Sequence, residues 1–316
     1  RVLRECAPRV GACWNVRRSS AESLDTIVAD LLDTTGPVDY VLLQEVAMPS
    51  NFEWLRDAEL SGVRDHQVIV NTEARHDTAV LLGPRLWGQV RHVDQHRYFL
   101  AVSLGSADVV DALVVSVHLP PGADDVDFEA ALDALDQLLV RAPHRCVVAG
   151  DFNCELRGAA FPEGLYPSLA DEHGGPQAYK EMLFQDFVLR HGLHVQNGRK
   201  DSFQPTWFLD RQGGQGKHID FYLTRGAGPG ELRVRADLAC NSDHRCLVFV
   251  EPGQQRRKVV FQHRRNIAGV RIEPHVAEQL IQDFRDGLPV IPVPGDIEAA
   301  CRRAAAAVPA RRRPAA

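Results

Sequence analysis

Short apolar runs, separated by polar and turn-forming segments, constrain the fold of this chain more than any other feature. The runs are rich in β-branched residues and are bounded by Gly, Pro and Asp, a pattern typical of buried strands. The clearest of them are Val38–Leu43, Thr78–Leu82, Ala112–Val117, Cys146–Ala149, Ile219–Leu223 and Cys246–Val250.

Helical periodicity is found between some of these runs, at irregular spacing. One predicted helix has Leu24, Ile27, Val28, Leu31 and Leu32 on one face. A second carries Val126, Leu132, Leu135, Leu138 and Leu139, and a third carries Tyr179, Met182, Phe187 and Val188 and ends near Gly192. Because strands outnumber helices, the sequence predicts an α/β fold with a two-layered β-sandwich flanked by helices, in four layers α/β/β/α. A regular doubly wound sheet is disfavoured.

The sequence changes character after Pro252. A Gln- and Arg-rich stretch, 254–258, is followed by two helix-like segments at 275–286 and 296–308 and then by Arg311–Arg313. We therefore predict one domain over residues 1–251 and a basic linker with a helical tail over residues 252–316. Since the chain begins at Arg1 without Met, we expect it to be part of a longer polypeptide.

Charge is unevenly distributed along the chain, whose formal net charge is −6. From Glu251 onward 12 Lys and Arg face 7 Asp and Glu, whereas the preceding residues carry 24 against 35. An acidic body is typical of a carboxylate-rich metal site and weakens non-specific attraction to nucleic acid. The basic end is either a segment that contacts phosphates or a solvated linker.

Cysteine usage indicates an intracellular protein, nuclear or cytoplasmic. The seven cysteines are odd in number, form no CxxC pair and in several cases lie in apolar runs, so buried reduced thiols are expected. Close Cys/His pairs typical of zinc sites are not evident. No run approaches the roughly 20 apolar residues that span a bilayer, so no membrane partner is expected.

Polar residues able to bind metal or phosphate follow the apolar runs repeatedly. They are Asn15, Glu45, His118, Asp151 with Asn153, Asp220, and Asp243 with His244. Each one alone is explained by strand ends meeting solvent. Carboxylates beside buried strands are costly unless a charge balances them, so their recurrence indicates one shared cationic centre.

The same residues carry a resemblance to a known family. Trp14-Asn15-Val16, Leu43-Gln44-Glu45, Ser116-Val117-His118-Leu119, Gly150-Asp151-Phe152-Asn153, His218-Ile219-Asp220 and Ser242-Asp243-His244 follow the order and rough spacing of the endonuclease/exonuclease/phosphatase superfamily. The resemblance covers about residues 10–250, and the Gly-Asp-Phe-Asn and Ser-Asp-His elements are its most specific parts.

This resemblance implies a catalytic role for each residue. Glu45 would be the main ligand of Mg²⁺ or Mn²⁺, with Asn15 beside it and Asp243 supporting the metal site. Asp151 would orient or deprotonate the attacking water, and Asn153 would donate to the phosphoryl oxygens. Asp220 would pair with His244 and raise its pKa, so that the imidazole binds phosphate as a cation. His118 would contact the scissile phosphate or help the leaving oxygen.

Substrate identity is less constrained, because superfamily members cleave DNA, RNA tails, inositol phosphates and sphingomyelin. Thr206 and Trp207 precede the His218-Ile219-Asp220 element, where nucleases of this family place an aromatic near DNA; a core aromatic is the alternative. The basic tail resembles the linker after the endonuclease domain of non-LTR retrotransposon polyproteins. We therefore predict a metal-dependent DNA endonuclease of that type, with DNA favoured over RNA.

Three alternatives remain open at this point. They are a deadenylase-like RNA exonuclease, an inositol or phospholipid phosphatase, and an inactive interaction domain. Arg17 stands where abasic-site repair members carry an acidic residue, which weakens a repair assignment.

Overall fold

A computed structural model describes residues 10–17, 21–46, 66–73, 78–106, 109–119, 122, 124–156, 176–198, 204–209, 216–227, 230–238 and 242–251. For residues 21–25, 27 and 176–178 it describes the backbone alone. The predicted tail, residues 252–316, and its two helix-like segments lie outside the described residues.

Strands dominate the described chain, as predicted. They are β1 (Val10–Asn15), β2 (Tyr40–Gln44), β3 (Gln67–Val70), β4 (Thr78–Leu82), β5 (Val90–His96), β6 (Phe99–Ser106), β7 (Val109–His118), β8 (Arg145–Asp151), β9 (His194–Val195), β10 (Trp207–Phe208), β11 (Gly216–Lys217), β12 (Asp220–Arg225), β13 (Glu231–Arg235) and β14 (Cys246–Val250). The α-helices are α1 (Ala21–Thr35), α2 (Asp125–Val140) and α3 (Pro176–Arg190), and 3-10 turns occur at Pro84–Leu86 and Gln196–Gly198.

The strands form two six-stranded mixed sheets and a separate hairpin. The first sheet has the order β13-β14-β1-β2-β4-β3 and the second β5-β6-β7-β8-β12-β9, while β10 pairs with β11. The pairs β1–β2 and β7–β8 are parallel, and the other pairs are antiparallel.

Alternation along the strands explains the layering. Tyr40 and Leu42 of β2 belong to a core shared by both sheets, whereas Val41 and Leu43 pack with Leu31 of α1 on the opposite face. All five residues of β2 are buried because both of its faces are covered, which accounts for its unbroken apolar run. The fold prediction of a sandwich flanked by helices is confirmed.

Helices α2 and α3 cover the outer face of the second sheet. Phe128 of α2 and Phe184 of α3 pack there with Phe152, and the rings of Phe152 and Phe184 stack with centroids 4.5 Å apart. Not every apolar residue of these two predicted helices is buried, because Val126 and Met182 are 74% and 55% exposed. Tyr179 is exposed as well. The buried face of α2 follows helical spacing from its first aromatic residue onward: Phe128, Ala131, Leu132, Leu135, Leu138 and Leu139.

The strand pairing brings the predicted site residues to one end of the sandwich. Parallel pairing places Asn15 opposite Gln44, next to Glu45, and His118 opposite Asp151. Antiparallel pairing places Asp220, the first residue of β12, opposite Asp151 as well.

Two further expectations can be compared with the described residues. Cys13, Cys146, Cys154 and Cys246 are all buried free thiols, as predicted. Among the helices that the structure describes, none has the length and apolarity required to cross a membrane.

Candidate active site

Glu45, His118 and Asp151 converge between the ends of the two sheets. Nε2 of His118 lies 3.6 Å from Oε1 of Glu45 and 4.0 Å from Oδ2 of Asp151. One donor atom of each of the three residues lies within 4.8 Å of the others. His118 and Asp151 are each 1% exposed, so the cluster has a buried floor.

Asp220 and His244 form a buried pair beside this cluster. Nδ1 of His244 lies 3.0 Å from Oδ2 and 3.1 Å from Oδ1 of Asp220, and its Nε2 lies 3.7 Å from Oδ2 of Asp151. Burial by itself lowers the pKa of His244, but the charge of Asp220 and the hydrogen bond to it outweigh burial. Asp151 and Asp243 add to this effect, and the pKa of His244 rises to about 9. The imidazole is therefore a cation at neutral pH, with Nε2 directed to the Asp151 side.

Asp151 connects the two groups of side chains. Burial, followed by the nearby charge of Asp220, raises its pKa to about 7, although His244, the backbone N–H of Asn153 and Asn15 favour the carboxylate. A carboxylate with a pKa near neutrality is suited to accept a proton at physiological pH.

Asn15 is placed next to the carboxylates of Glu45 and Asp151. Its Nδ2 donates hydrogen bonds to Oε1 of Glu45 and Oδ2 of Asp151, both at 3.0 Å. Its Oδ1 accepts a hydrogen bond from the backbone N–H of Arg17 at 3.0 Å. In this arrangement the amide nitrogen of Asn15 holds the two carboxylates, while its role as a metal ligand through Oδ1 stays a prediction.

Asn153 follows Asp151 in a tight turn. Its backbone N–H donates to Oδ1 of Asp151 at 2.9 Å, and its Nδ2 donates to the carbonyl of Leu119 at 2.5 Å. An amide nitrogen carries two hydrogens, so one remains for an incoming oxygen. Gly150 is required before this turn, because a β-carbon there would lie 1.8 Å from the carbonyl oxygen of Val117 on β7.

The Ser-Asp-His segment is fixed to the end of β1. Ser242 Oγ donates to the carbonyl of Asn15 at 2.6 Å and accepts from the backbone N–H of His244 at 3.0 Å. The indole of Trp14 donates to the carbonyl of His244 at 3.1 Å. These bonds hold His244 in front of the Asp151 cluster.

Asp243 contacts other partners than the predicted metal ligands. Its Oδ2 accepts a hydrogen bond from Nε1 of Trp207 at 3.2 Å and lies 3.3 Å from Nη1 of Arg17. Among the described residues, Asp243 belongs to neither of the two side-chain groups with metal-ligand spacing. Asp243 thus holds Trp207 and Arg17, and its support of the metal site stays a prediction.

Thr206 and Trp207 differ in their exposure to the pocket. Trp207 is half-buried and lines the pocket. Thr206 is fully buried, and its Oγ1 accepts hydrogen bonds from the backbone N–H groups of Ile219 and Asp220 at 3.2 and 3.0 Å. The side chain of Thr206 thus positions Asp220 from behind and does not face a substrate, which corrects the expected contact.

An open pocket of about 400 Å³ lies over these groups. It is lined by Arg17, Glu45, Gly122, Asp151, Asn153, Trp207, Lys217, Ile219, Asp243 and His244. Three of them, Arg17, Glu45 and Asn153, are the described non-glycine residues with positive φ, at 45°, 52° and 47°. Left-handed backbone is unfavourable for most residues, and its concentration at one pocket is typical of a functional site.

The pocket floor fits a hard divalent cation. Glu45 and Asp151 offer carboxylate oxygens and His118 offers an imidazole nitrogen within coordinating distance of one another. Mg²⁺ and Mn²⁺ accept one or two carboxylates and keep water for the remaining positions. The other group with ligand spacing, Asp151 with Asp220 and His244, fits less well, because Nδ1 of His244 is bonded to Asp220 and the ring is protonated.

Sequence reasoning missed two cationic residues of the pocket, Arg17 and Lys217. Arg17 was noted only for departing from the acidic residue of repair members, and Lys217 carried no signal in the sequence. The Nζ of Lys217 lies 6.0 Å from the centre of the Trp207 ring.

Comparison with known proteins identifies the class to which this fold and site belong. The model of the Endonuclease/Exonuclease/phosphatase family matches residues 12–244, so the chain belongs to that family of phosphodiester hydrolases. No curated protein matches the chain in sequence.

Several solved structures share the fold. The endonuclease domain of TRAS1, a telomere-specific non-LTR retrotransposon, is 18% identical, with a TM-score of 0.51, and the match covers 78% of this chain and 98% of that domain. The AP endonuclease LMAP of Leishmania major is 13% identical, with a TM-score of 0.59 and coverage of 78% and 89%. The 3' phosphatase NExo of Neisseria, bound to a product DNA hairpin, is 17% identical, with a TM-score of 0.55 and coverage of 78% and 100%.

Proposed function

We propose that this chain hydrolyses the backbone of nucleic acid with the help of Mg²⁺ or Mn²⁺, as a DNA endonuclease of the retrotransposon type. One observation carries the proposal: a ligand set of Glu45, His118 and Asp151 adjoins a charged Asp220–His244 pair in a single open pocket. This combination places a cation site, a proton acceptor and a positive charge close enough together to act on one phosphate group.

The cation would be held by Glu45, with the Asp151 carboxylate at its edge, and His118 would contact the scissile phosphate or help the leaving oxygen. When bound, the cation neutralises the charge that develops on the phosphate and its oxygens. The protein residues perform the remaining tasks. Asn15 keeps the Glu45 and Asp151 carboxylates at a fixed separation through its two donated hydrogen bonds.

Asp151 is the proposed proton acceptor. Its carboxylate lies between the proposed cation site and His244, and a pKa of about 7 lets it take a proton from an attacking water. The water's oxygen then forms the new bond to phosphorus as the bond to the leaving oxygen breaks, and the leaving oxygen takes up a proton from solvent water, with no covalent enzyme intermediate.

His244 and Asn153 are the proposed phosphate-binding groups. The His244 cation donates through Nε2, while Asp220 fixes the proton on Nδ1 and stabilises the charge. Preorganised donors of this kind stabilise a transition state by about 3–4 kcal/mol each when buried.

Two observations favour a nucleic-acid strand as the substrate. The pocket is open, so a long chain can pass across it, and its rim carries an aromatic ring, Trp207, on which a base can stack. The shared fold with an endonuclease domain, an AP endonuclease and a DNA-bound phosphatase is consistent with this substrate, although the fold alone does not select one.

A panel of substrates tests the proposal. The purified chain is incubated with Mg²⁺ and either supercoiled plasmid, poly(A) or inositol phosphates. We expect the plasmid to be nicked. Shortening of poly(A) alone would indicate an RNA exonuclease, release of phosphate from inositol phosphates alone would indicate a phosphatase, and no reaction on any of them would indicate an inactive interaction domain.

A further inference from the structure

Arg17 has the features of a functional residue that the proposed mechanism leaves without a task. It lines the pocket together with Glu45 and Asn153, and it shares their left-handed backbone conformation. Its backbone N–H fixes Oδ1 of Asn15, whose other end orients Glu45 and Asp151. The backbone of Arg17 is thus bonded directly to the residue that orients the two carboxylates.

The position of the guanidinium is set by Asp243. Nη1 of Arg17 lies 3.3 Å from Oδ2 of Asp243, and the same oxygen accepts the indole N–H of Trp207. Asp243 therefore holds a cation and an aromatic ring side by side at the rim. A guanidinium carries five N–H groups, so donors remain for a second anion.

The ion pair between Arg17 and Asp243 contributes too little to the stability of the fold to explain the strained backbone of Arg17. The side chain of Arg17 is 51% exposed, and exposed ion pairs contribute about 0–1 kcal/mol. A left-handed non-glycine backbone costs of order 1–3 kcal/mol, which such a pair does not offset. A contact that forms only with substrate accounts for the arrangement better.

Depth within the pocket separates Arg17 from the groups proposed for the scissile phosphate. Asp151, Asp220 and His244 are at most 8% exposed, whereas Arg17 lies at the solvent-facing rim. In a strand that lies across an open pocket, a rim cation faces a phosphate next to the one on the floor. Arginine suits this task because its planar fork binds two phosphate oxygens at once.

We infer that Arg17, held by Asp243, binds the phosphate adjacent to the scissile one in a nucleic-acid strand. The inference rests on the proposed function and extends it to a requirement for at least two consecutive phosphates. Arg17, which stands where repair members carry an acidic side chain, thereby has a role in substrate binding.

Two substrates of different length test the inference with Arg17→Gln. A short duplex oligonucleotide offers neighbouring phosphates, whereas bis(p-nitrophenyl) phosphate offers only the scissile one. On the duplex we expect KM to rise roughly tenfold with kcat little changed, the scale of one lost charged hydrogen bond. On the small diester we expect kcat/KM to stay within about twofold of wild type, which also shows that the variant is folded.

Salt dependence supplies a second readout. Loss of one phosphate contact should reduce the slope of log affinity against log salt by about 0.9 on duplex DNA. Arg233→Gln is the matched control, because Arg233 is an exposed arginine paired with Glu231 at 2.7 Å outside the pocket lining. The two variants change the net charge equally, so only a local contact distinguishes them.

The outcomes separate this inference from the proposed function. If the duplex is cleaved and Arg17→Gln has the same KM and salt slope as Arg233→Gln, the role of Arg17 is wrong while the proposed function stands. Equal losses on both substrates would also overturn this role, since they would place Arg17 at the scissile phosphate. Wild-type protein that cleaves the small diester but no nucleic acid would contradict the proposed function, and the Arg17 assignment with it.

Discussion

Replacing Asp220 by Asn removes the charge that keeps His244 protonated. The side chain of Asn retains an oxygen that can accept the hydrogen bond from Nδ1, so the orientation of the ring is preserved while the negative charge is lost. Without that charge, burial is opposed only by Asp151 and Asp243, and the pKa of His244 should fall from about 9 toward its usual 6.5. The difference corresponds to about 3 kcal/mol, or roughly 10²-fold.

The pH profile gives the sign of the effect. A raised pKa keeps His244 charged below about pH 9, so wild-type activity should persist until the pH approaches 9 and then decline. In Asp220→Asn at pH 7.5, at most about a tenth of the molecules keep the charge. The rate at pH 7.5 should therefore fall by about tenfold; the loss should grow toward about 10²-fold near pH 9 and shrink as the pH is lowered toward 6.

The raised pKa of His244 also makes the free energy of unfolding depend on pH. Because the folded pKa of His244 exceeds the unfolded one, its contribution to the free energy of unfolding is fully present below about pH 6.5 and is lost as the pH rises through about 9. This decline should be absent in Asp220→Asn.

Steady-state cleavage of a fluorescent oligonucleotide between pH 5.5 and 9.5 measures the profile. Asp39→Asn is the matched control, since Asp39 is a buried carboxylate bonded to Arg85 and to the backbone of Val10, outside the pocket lining. The double variant Asp220→Asn/His244→Gln should be little worse than either single one, because the two residues act as a unit. Multiplicative losses, or a profile unchanged by Asp220→Asn, would refute this reasoning.

Two further predictions concern the support of the site and the basic tail. Thr206→Val leaves the backbone N–H groups of Ile219 and Asp220 without their acceptor and should lower the free energy of unfolding by about 1–3 kcal/mol, whereas Thr206→Ser should not; equal denaturation midpoints for the two variants would contradict the role given to this hydroxyl. If the tail contacts phosphates, deleting residues 252–316 should weaken duplex binding and reduce its salt slope by about 0.9 per contact, with little change in the chemical step. Equal slopes with and without the tail would show that it is only a linker.

The location of the site could be predicted from the sequence because of strand geometry. Glu45 follows β2, and His118 and Asp151 are the last residues of β7 and β8. Parallel neighbours end at the same edge of a sheet, so polar residues after successive apolar runs meet in space. The Asp220–His244 contact was implied by the resemblance alone, and the structure brings the two side chains together.

Other features depend on information that local sequence does not carry. The strand β6 was missed because Ser103 and Gly105 interrupt its apolar run. Left-handed backbone at Arg17 has no sequence signal, since arginine does not favour positive φ. The orientation of the Asn15 amide depends on Glu45, Asp151 and the backbone N–H of Arg17. Because the two carboxylates are far apart in the sequence, these hydrogen bonds could not be predicted from it.

Plasmid nicking by wild type and by Glu45→Gln, in which one carboxylate oxygen of the proposed metal ligand is replaced by an amide nitrogen, tests the central claim most directly. Wild-type chain and Glu45→Gln, purified identically, are incubated with supercoiled plasmid in millimolar Mg²⁺ or in EDTA. The account predicts open circles only for wild type with Mg²⁺, while Glu45→Gln keeps the wild-type unfolding midpoint. Nicking by wild type in EDTA, or by Glu45→Gln at the wild-type rate in Mg²⁺, would contradict it.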